Sequence, residues 1–168
     1  MKFLKTKKVP LPEILRTCIG TVLGIGGVAI LAKYTQLPFI IAPFGASAVL
    51  IYSAVASPLA QPRNVVLGHL VSGVIAITVC NLFDTSVAST VLAVTVAIVA
   101  MMLLDAVHPP GGATALLCML QNTTSYTFLL TPLAAGCVVL LLAAIIASKI
   151  VPGTTPYPTP KKTDNKVS

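Results

Sequence analysis

The chain carries only two histidines, His69 and His108, and both stand inside long apolar stretches. Imidazole is the side chain whose proton comes and goes near neutral pH, so carrying a proton is the first chemistry to consider. His108 opens the run HPPGGAT (108–114), and Asp105 precedes it by three residues, a spacing that puts carboxylate and imidazole on one face if a helix continues through both. These two, with His69 in VLGHLVS, are the candidates for proton coupling. The plainer alternatives are that Asp105 and His108 steady a helix end and that His69 is a hydrogen-bonded interior residue.

A second polar cluster, Gln61, Pro62, Arg63 and Asn64, lies just ahead of His69. Arg63 either marks a boundary with water or offers its fixed fork of donors to an anion. The remaining chemistry would come from backbone: Pro109, Pro110, Gly111 and Gly112 lead into Thr114, and Pro43, Gly45, Ala46 and Ser47 make a similar break in APFGASAVLI. Proline is favoured in a first helical turn, and glycine lets backbone approach a ligand. Each break therefore reads as the start of a short helix whose N-terminal amides and dipole would face a small anion. The sequence contains no His-x-x-x-His, Gly-x-Ser-x-Gly or P-loop pattern, so no enzyme, metal site or cofactor is expected.

The elements that must position these residues are membrane helices. No Asp, Glu, Lys or Arg occurs in 17–32, 34–62, 64–83, 85–104 or 106–148, and one span needs about 20 mostly apolar residues. The net charge of +7 gathers at the two ends, in Lys2, Lys5, Lys7, Lys8 and Arg16 and in Lys149, Lys161, Lys162 and Lys166. That is a positive-inside pattern with both termini cytoplasmic, not the footprint of a nucleic-acid binder. Lysines ahead of an apolar run also suit a signal peptide, but 17–32 reaches Lys33 without a clear cleavage site and further spans follow.

Apolar segments fall at about 14–33, 38–57, 64–83, 87–107, 110–121 and 126–150, the second interrupted and the fifth too short to cross alone. Setting 42–51 against 108–117, an offset of 66, pairs Pro43 with Pro109, Gly45 with Gly111 and Leu50 with Leu116. An internal duplication is the preferred interpretation. The expected fold is an all-α integral membrane protein of four full transmembrane helices plus two short broken or re-entrant half-helices, arranged as two structural repeats. If the broken segments cross, there are six passages and the halves are inverted; if they dip and return, there are four and the halves are parallel. Residues 1–13 read as a basic cytoplasmic segment, 14–150 as the membrane domain and 151–168, rich in Pro, Thr and Lys, as a disordered cytoplasmic tail. Cys18, Cys80, Cys118 and Cys137 read as small packing residues, and Gly20 with Gly24 as a close helix contact. A homo-oligomer is expected.

PFGASAVLIYSAVASPLAQPRNVVLGHL together with HPPGGATALL resembles the HPP family of integral membrane proteins, over about 14–150. The resemblance implies four membrane-spanning helices and a transport role, with chloroplast and cyanobacterial members associated with nitrite. Its motif falls on His108, Pro109, Pro110, Gly111 and Gly112, and its other block on Pro43, Gly45, Ser47, Ser57, Pro58, Gln61, Pro62, Arg63, Asn64 and His69. Residues 1–13 are far too short for a chloroplast transit peptide, so a bacterial inner membrane is the expected location. The expected function is a transporter or channel for a small monovalent anion, nitrite first. The alternative is a membrane-embedded sensory or scaffold module that binds a small ligand or partner without moving it.

Overall fold

The computed structural model describes residues 8–160, so Lys2, Lys5, Lys7 and the lysines beyond 160 lie outside the described residues. Six α-helices and no strand form among the described residues: α1 Leu11–Thr35, α2 Ala42–Ser53, α3 Pro62–Leu82, α4 Val87–Leu103, α5 Pro109–Leu120 and α6 Ala135–Ile150. A 3₁₀ turn, Pro58–Ala60, precedes α3, and a wide irregular turn around Pro132, Leu129–Ala134, runs straight into α6.

Local chemistry explains most of the boundaries. Proline occupies the first turn of α1, α2, α3 and α5, where a missing N–H breaks no helical bond. Ser86 and Ser89 open α4 with a reciprocal cap. Asp105 and Asn122 adopt left-handed φ values of 48° and 47° just past α4 and α5. Behind them the Ala106 amide reaches back to the Met101 carbonyl and the Thr123 amide to that of Cys118, both at 2.9 Å. Each is a Schellman stop, built on residue types that tolerate the left-handed region.

Three stretches, α1, α3 and 129–150, are long and apolar enough to cross a membrane. The chain is thus a membrane protein with transmembrane helices. The 17 residues of α4 reach about 26 Å and the 12 residues each of α2 and α5 about 18 Å, against a hydrocarbon thickness of about 30 Å.

Hydrogen bonds fix the course of the chain. At one end of the molecule, here the near end, the start of α1 meets the end of α2, where Arg16 and Thr17 donate to the Tyr52 carbonyl. The starts of α3 and α5 join them there, because Asn64 Nδ2 donates to the Val107 carbonyl at 3.0 Å. At the far end Thr85 donates to Asn122 and Asn81 to the Thr124 carbonyl, beside the exits of α3 and α5. The two short helices therefore run in opposite directions. α1 packs on α2 and α6, α4 on α5 and α3, α3 on α5, and α2 on both α5 and α6.

Tight contacts in this body need glycine. Gly20 and Gly24 lie against the Tyr52 ring and hydroxyl, which donates to the Leu140 carbonyl at 3.1 Å, so their G-x-x-x-G face receives an aromatic of the same chain. Gly136 likewise faces the Phe44 ring. Cys80, Cys118 and Cys137 are buried free thiols and Cys18 is exposed.

The tail expectation needs correction for 151–160. Its Pro- and Thr-rich composition cannot form a core of its own, yet it is tied to one. Tyr157, 5% exposed, donates to the Ala60 carbonyl at 2.7 Å, the Thr159 amide donates to Gln61, and the Thr155 amide to Glu13. Arg16, 3% exposed, joins the same contacts: it binds the Thr155 and Tyr52 carbonyls and pairs with Glu13 at 2.6 Å.

Candidate functional site

The two histidines meet. Their rings lie 5.0 Å apart between centroids, and the hydroxyl of Ser47, one turn into α2, bridges them at 2.8 Å from each Nε2. His69 Nδ1 contacts the Thr114 hydroxyl of α5 at 2.7 Å, and His108 Nδ1 the Leu59 carbonyl of the Pro58–Ala60 turn at 2.8 Å. Ser47, His69, His108 and Thr114 are all 0% exposed. This is a four-residue polar cluster, buried at the crossing of α2, α3 and α5 and hydrogen-bonded through its own members.

Backbone stops bring these side chains into register. His108 is the last extended residue before α5, with φ −141° and ψ 103°, and so turns its ring inward instead of along a helix face. Gly68 permits the approach: a methyl group there would lie 2.5 Å from His108 Cβ, and one on Gly111 would lie 2.6 Å from the Gly68 carbonyl oxygen. Below the pair, Ser72 faces Met101 of α4 at 3.7 Å, and the Phe44 ring meets His69 edge-on with 5.7 Å between centroids.

One expectation for this region does not hold, and a second is narrowed. Asp105 does not face His108, since α4 has already ended and the left-handed turn sends the carboxylate outward, 3.9 Å from Arg63. The first turn of α5 also offers an anion few amides: Pro109 and Pro110 have none, and the Gly111 amide donates to the His108 carbonyl at 2.7 Å. In α2 the Phe44 amide is likewise bonded to the Ile41 carbonyl. The prolines that start a half-helix cheaply also strip it of donors.

The other sequence candidates separate into two groups. Arg63 donates to the Leu104 and Asp105 carbonyls, Asn64 to that of Val107, and Gln61 to those of Val55 and Ser57, so all three clamp the links around the cluster without entering it. Pro43, Pro110 and Gly111 are buried in the packing, whereas Gly45, Ala46 and Pro109 are exposed and Gly112 has open space where a side chain would stand. Sequence reasoning missed the Leu59 carbonyl, Phe44 and Ser72. The small-x-x-x-small spacing of Gly68 and Ser72 is a signal that could have found the last.

Comparison with known proteins also points to a membrane protein. The chain is 45% identical over 118 residues to one transmembrane protein of Dictyostelium discoideum, covering 66% of this chain and 38% of that protein. A second from the same organism is 35% identical over 161 residues, covering 86% of this chain and 55% of that one. The chain thus spans about half or less of these relatives' length, and no solved structure matches it. The family described as HPP, transmembrane region, matches residues 6–158, a stretch that includes all six helices and the whole buried cluster. The chain belongs to the HPP transmembrane family.

Proposed function

We propose that the protein is a membrane transporter or channel for a small monovalent anion, with nitrite the first substrate to test, and that it is not an enzyme. One observation carries the proposal: two oppositely directed 12-residue helices meet, through Ser47 and Thr114, on a histidine pair with no solvent exposure. Interrupted segments at corresponding places in two halves are where transporters bind their cargo. Intramembrane ionisable side chains also carry function by default.

Several features support the finer organisation. Exchanging α1, α2 and α3 for α4, α5 and α6 leaves the set of principal helix neighbours unchanged, which favours an inverted repeat. α4, extended by the residues after it, would serve as the fourth full span. Lys8, Arg16, Arg63 and Lys149 lie at the near end against Lys33 at the far end, which favours a cytoplasmic near end and cytoplasmic termini. Exposed Ala42, Gly45 and Ala46 on α2 and Ala113 on α5 give a small-residue face suited to a homo-oligomer in the bilayer. Both relatives come from Dictyostelium, so the bacterial inner membrane rests on sequence alone.

With the Phe44 and Gly111 amides occupied, the ligands for an anion at the cluster would be the Ser47 and Thr114 hydroxyls and a protonated imidazole. Proteoliposomes containing a nitrite-sensitive reporter test this. Uptake above that of protein-free vesicles is expected, and equal uptake sinks the proposal. The saturated state of the cluster favours the second interpretation, a sensory or scaffold module. Thermal stabilisation by nitrite with no vesicle flux would select it.

A further inference from the structure

The hydrogen-bond partners determine where the protons sit. Leu59 offers a carbonyl, which only accepts, so His108 Nδ1 carries hydrogen. In neutral His108 the Nε2 must then accept, from the single hydrogen of Ser47. Ser47 in turn accepts from His69 Nε2–H, which leaves His69 Nδ1 to accept from the Thr114 hydroxyl. The neutral chain is thus fully bonded in one direction, and its rings hold opposite tautomers.

A second arrangement is equally complete. Thr114 has another acceptor within reach, the Pro110 carbonyl at 3.3 Å. Let a proton from hydronium bind Thr114 Oγ1. Three hydrogens then shift: Thr114 Oγ1 to His69 Nδ1, His69 Nε2 to Ser47 Oγ, and Ser47 Oγ to His108 Nε2. His108 becomes the cation, donating to both Leu59 and Ser47; Ser47 now donates to His69, His69 to Thr114, and Thr114 to Pro110. The three bonds from Thr114 to His108 reverse, the one to Leu59 keeps its direction, the one to Pro110 is gained, and no heavy atom has moved.

A second proton breaks this order. Both Nε2 atoms would then donate to Ser47, whose own hydrogen has no acceptor left in the cluster, and two cations would stand with ring centroids 5.0 Å apart. Nothing nearby compensates. The cluster is faced by Phe44 of α2, Gly68 and Ser72 of α3, Met101 of α4 and the Leu59 turn, none of them titratable. Arg63 and Asp105, the nearest charges, lie outside it and pair with each other.

We infer that Leu59, His108, Ser47, His69 and Thr114 form a store for one shared proton, whose arrival reverses the three hydrogen bonds that link Thr114 of α5 to His108 while Leu59 keeps accepting. Its use as the coupling site, one proton for each anion, rests on the transport proposal above; the store itself does not.

Imidazole ¹⁵N NMR on the full chain in nanodiscs, without any anion substrate, tests the store. At about pH 8 His108 should be the Nδ1–H tautomer and His69 the Nε2–H tautomer. Acidification should add one proton per chain, with His69 switching to Nδ1–H at the same midpoint at which His108 becomes the cation. Uptake of two protons, identical tautomers, a His69 that never switches, or no change down to about pH 4 each overturns the inference. Ser47→Ala should leave His108 titrating while His69 keeps its tautomer, and Ser47→Thr should restore the joint midpoint; a joint midpoint in Ser47→Ala overturns it too. If Ser47→Ala does not fold, Thr114→Val supplies the same uncoupling from the other end. Because no solute is moved, an absence of nitrite flux leaves this result standing, and a failed titration leaves flux to be judged separately.

Discussion

Ser47 owes its place to its hydroxyl, which supplies one hydrogen and two lone pairs at 2.8 Å from two imidazoles. Its partners stand 22 and 61 residues away, so although Ser47, His69, His108 and Thr114 all stand out in the sequence, their meeting is a tertiary fact that spacing does not contain. Asp105 shows the converse. Three residues before a histidine it looks like a partner, but an Asp at the end of an apolar run is equally a left-handed helix stop, and that role prevails. Asp105→Asn should therefore leave the titration of both imidazoles unchanged, as read by the same ¹⁵N spectra. A displaced midpoint would mean the carboxylate reaches the cluster after all.

At the scale of elements, proline was the most legible signal, marking the first turns of four helices. The glycines divide by surroundings that no pattern reveals. Gly68 and Gly111 sit in the α3–α5 crossing, whereas Gly45 and Gly112 meet nothing within 4 Å. Gly68→Ala should cost about 1–3 kcal/mol of stability by pushing His108 and α5 away, measured by thermal unfolding in detergent. Gly112→Ala should change little, since its methyl enters open space. Equal losses at the two positions would contradict the packing described.

At the scale of the whole molecule the first three helices interlock with the last three: α1 lies on α6, α2 on α5 and α6, and α3 on α4 and α5. Chain composition announced the membrane, but not which way the short helices run, because apolar segments carry no directional charge. Nor did it reveal the strap at 151–160, whose few anchors are backbone carbonyls and single side chains. Tyr157→Phe should lower stability by about 1 kcal/mol through the unpartnered Ala60 carbonyl, and should speed proteolysis after residue 150.

That strap has a practical side. Tyr157 grips Ala60, and the neighbouring residue, Leu59, holds His108 by its carbonyl. A fluorophore, affinity handle or fusion partner attached close behind Thr159 thus tugs on a lever two bonds removed from the interior imidazoles, and flux assays are best run on protein labelled elsewhere.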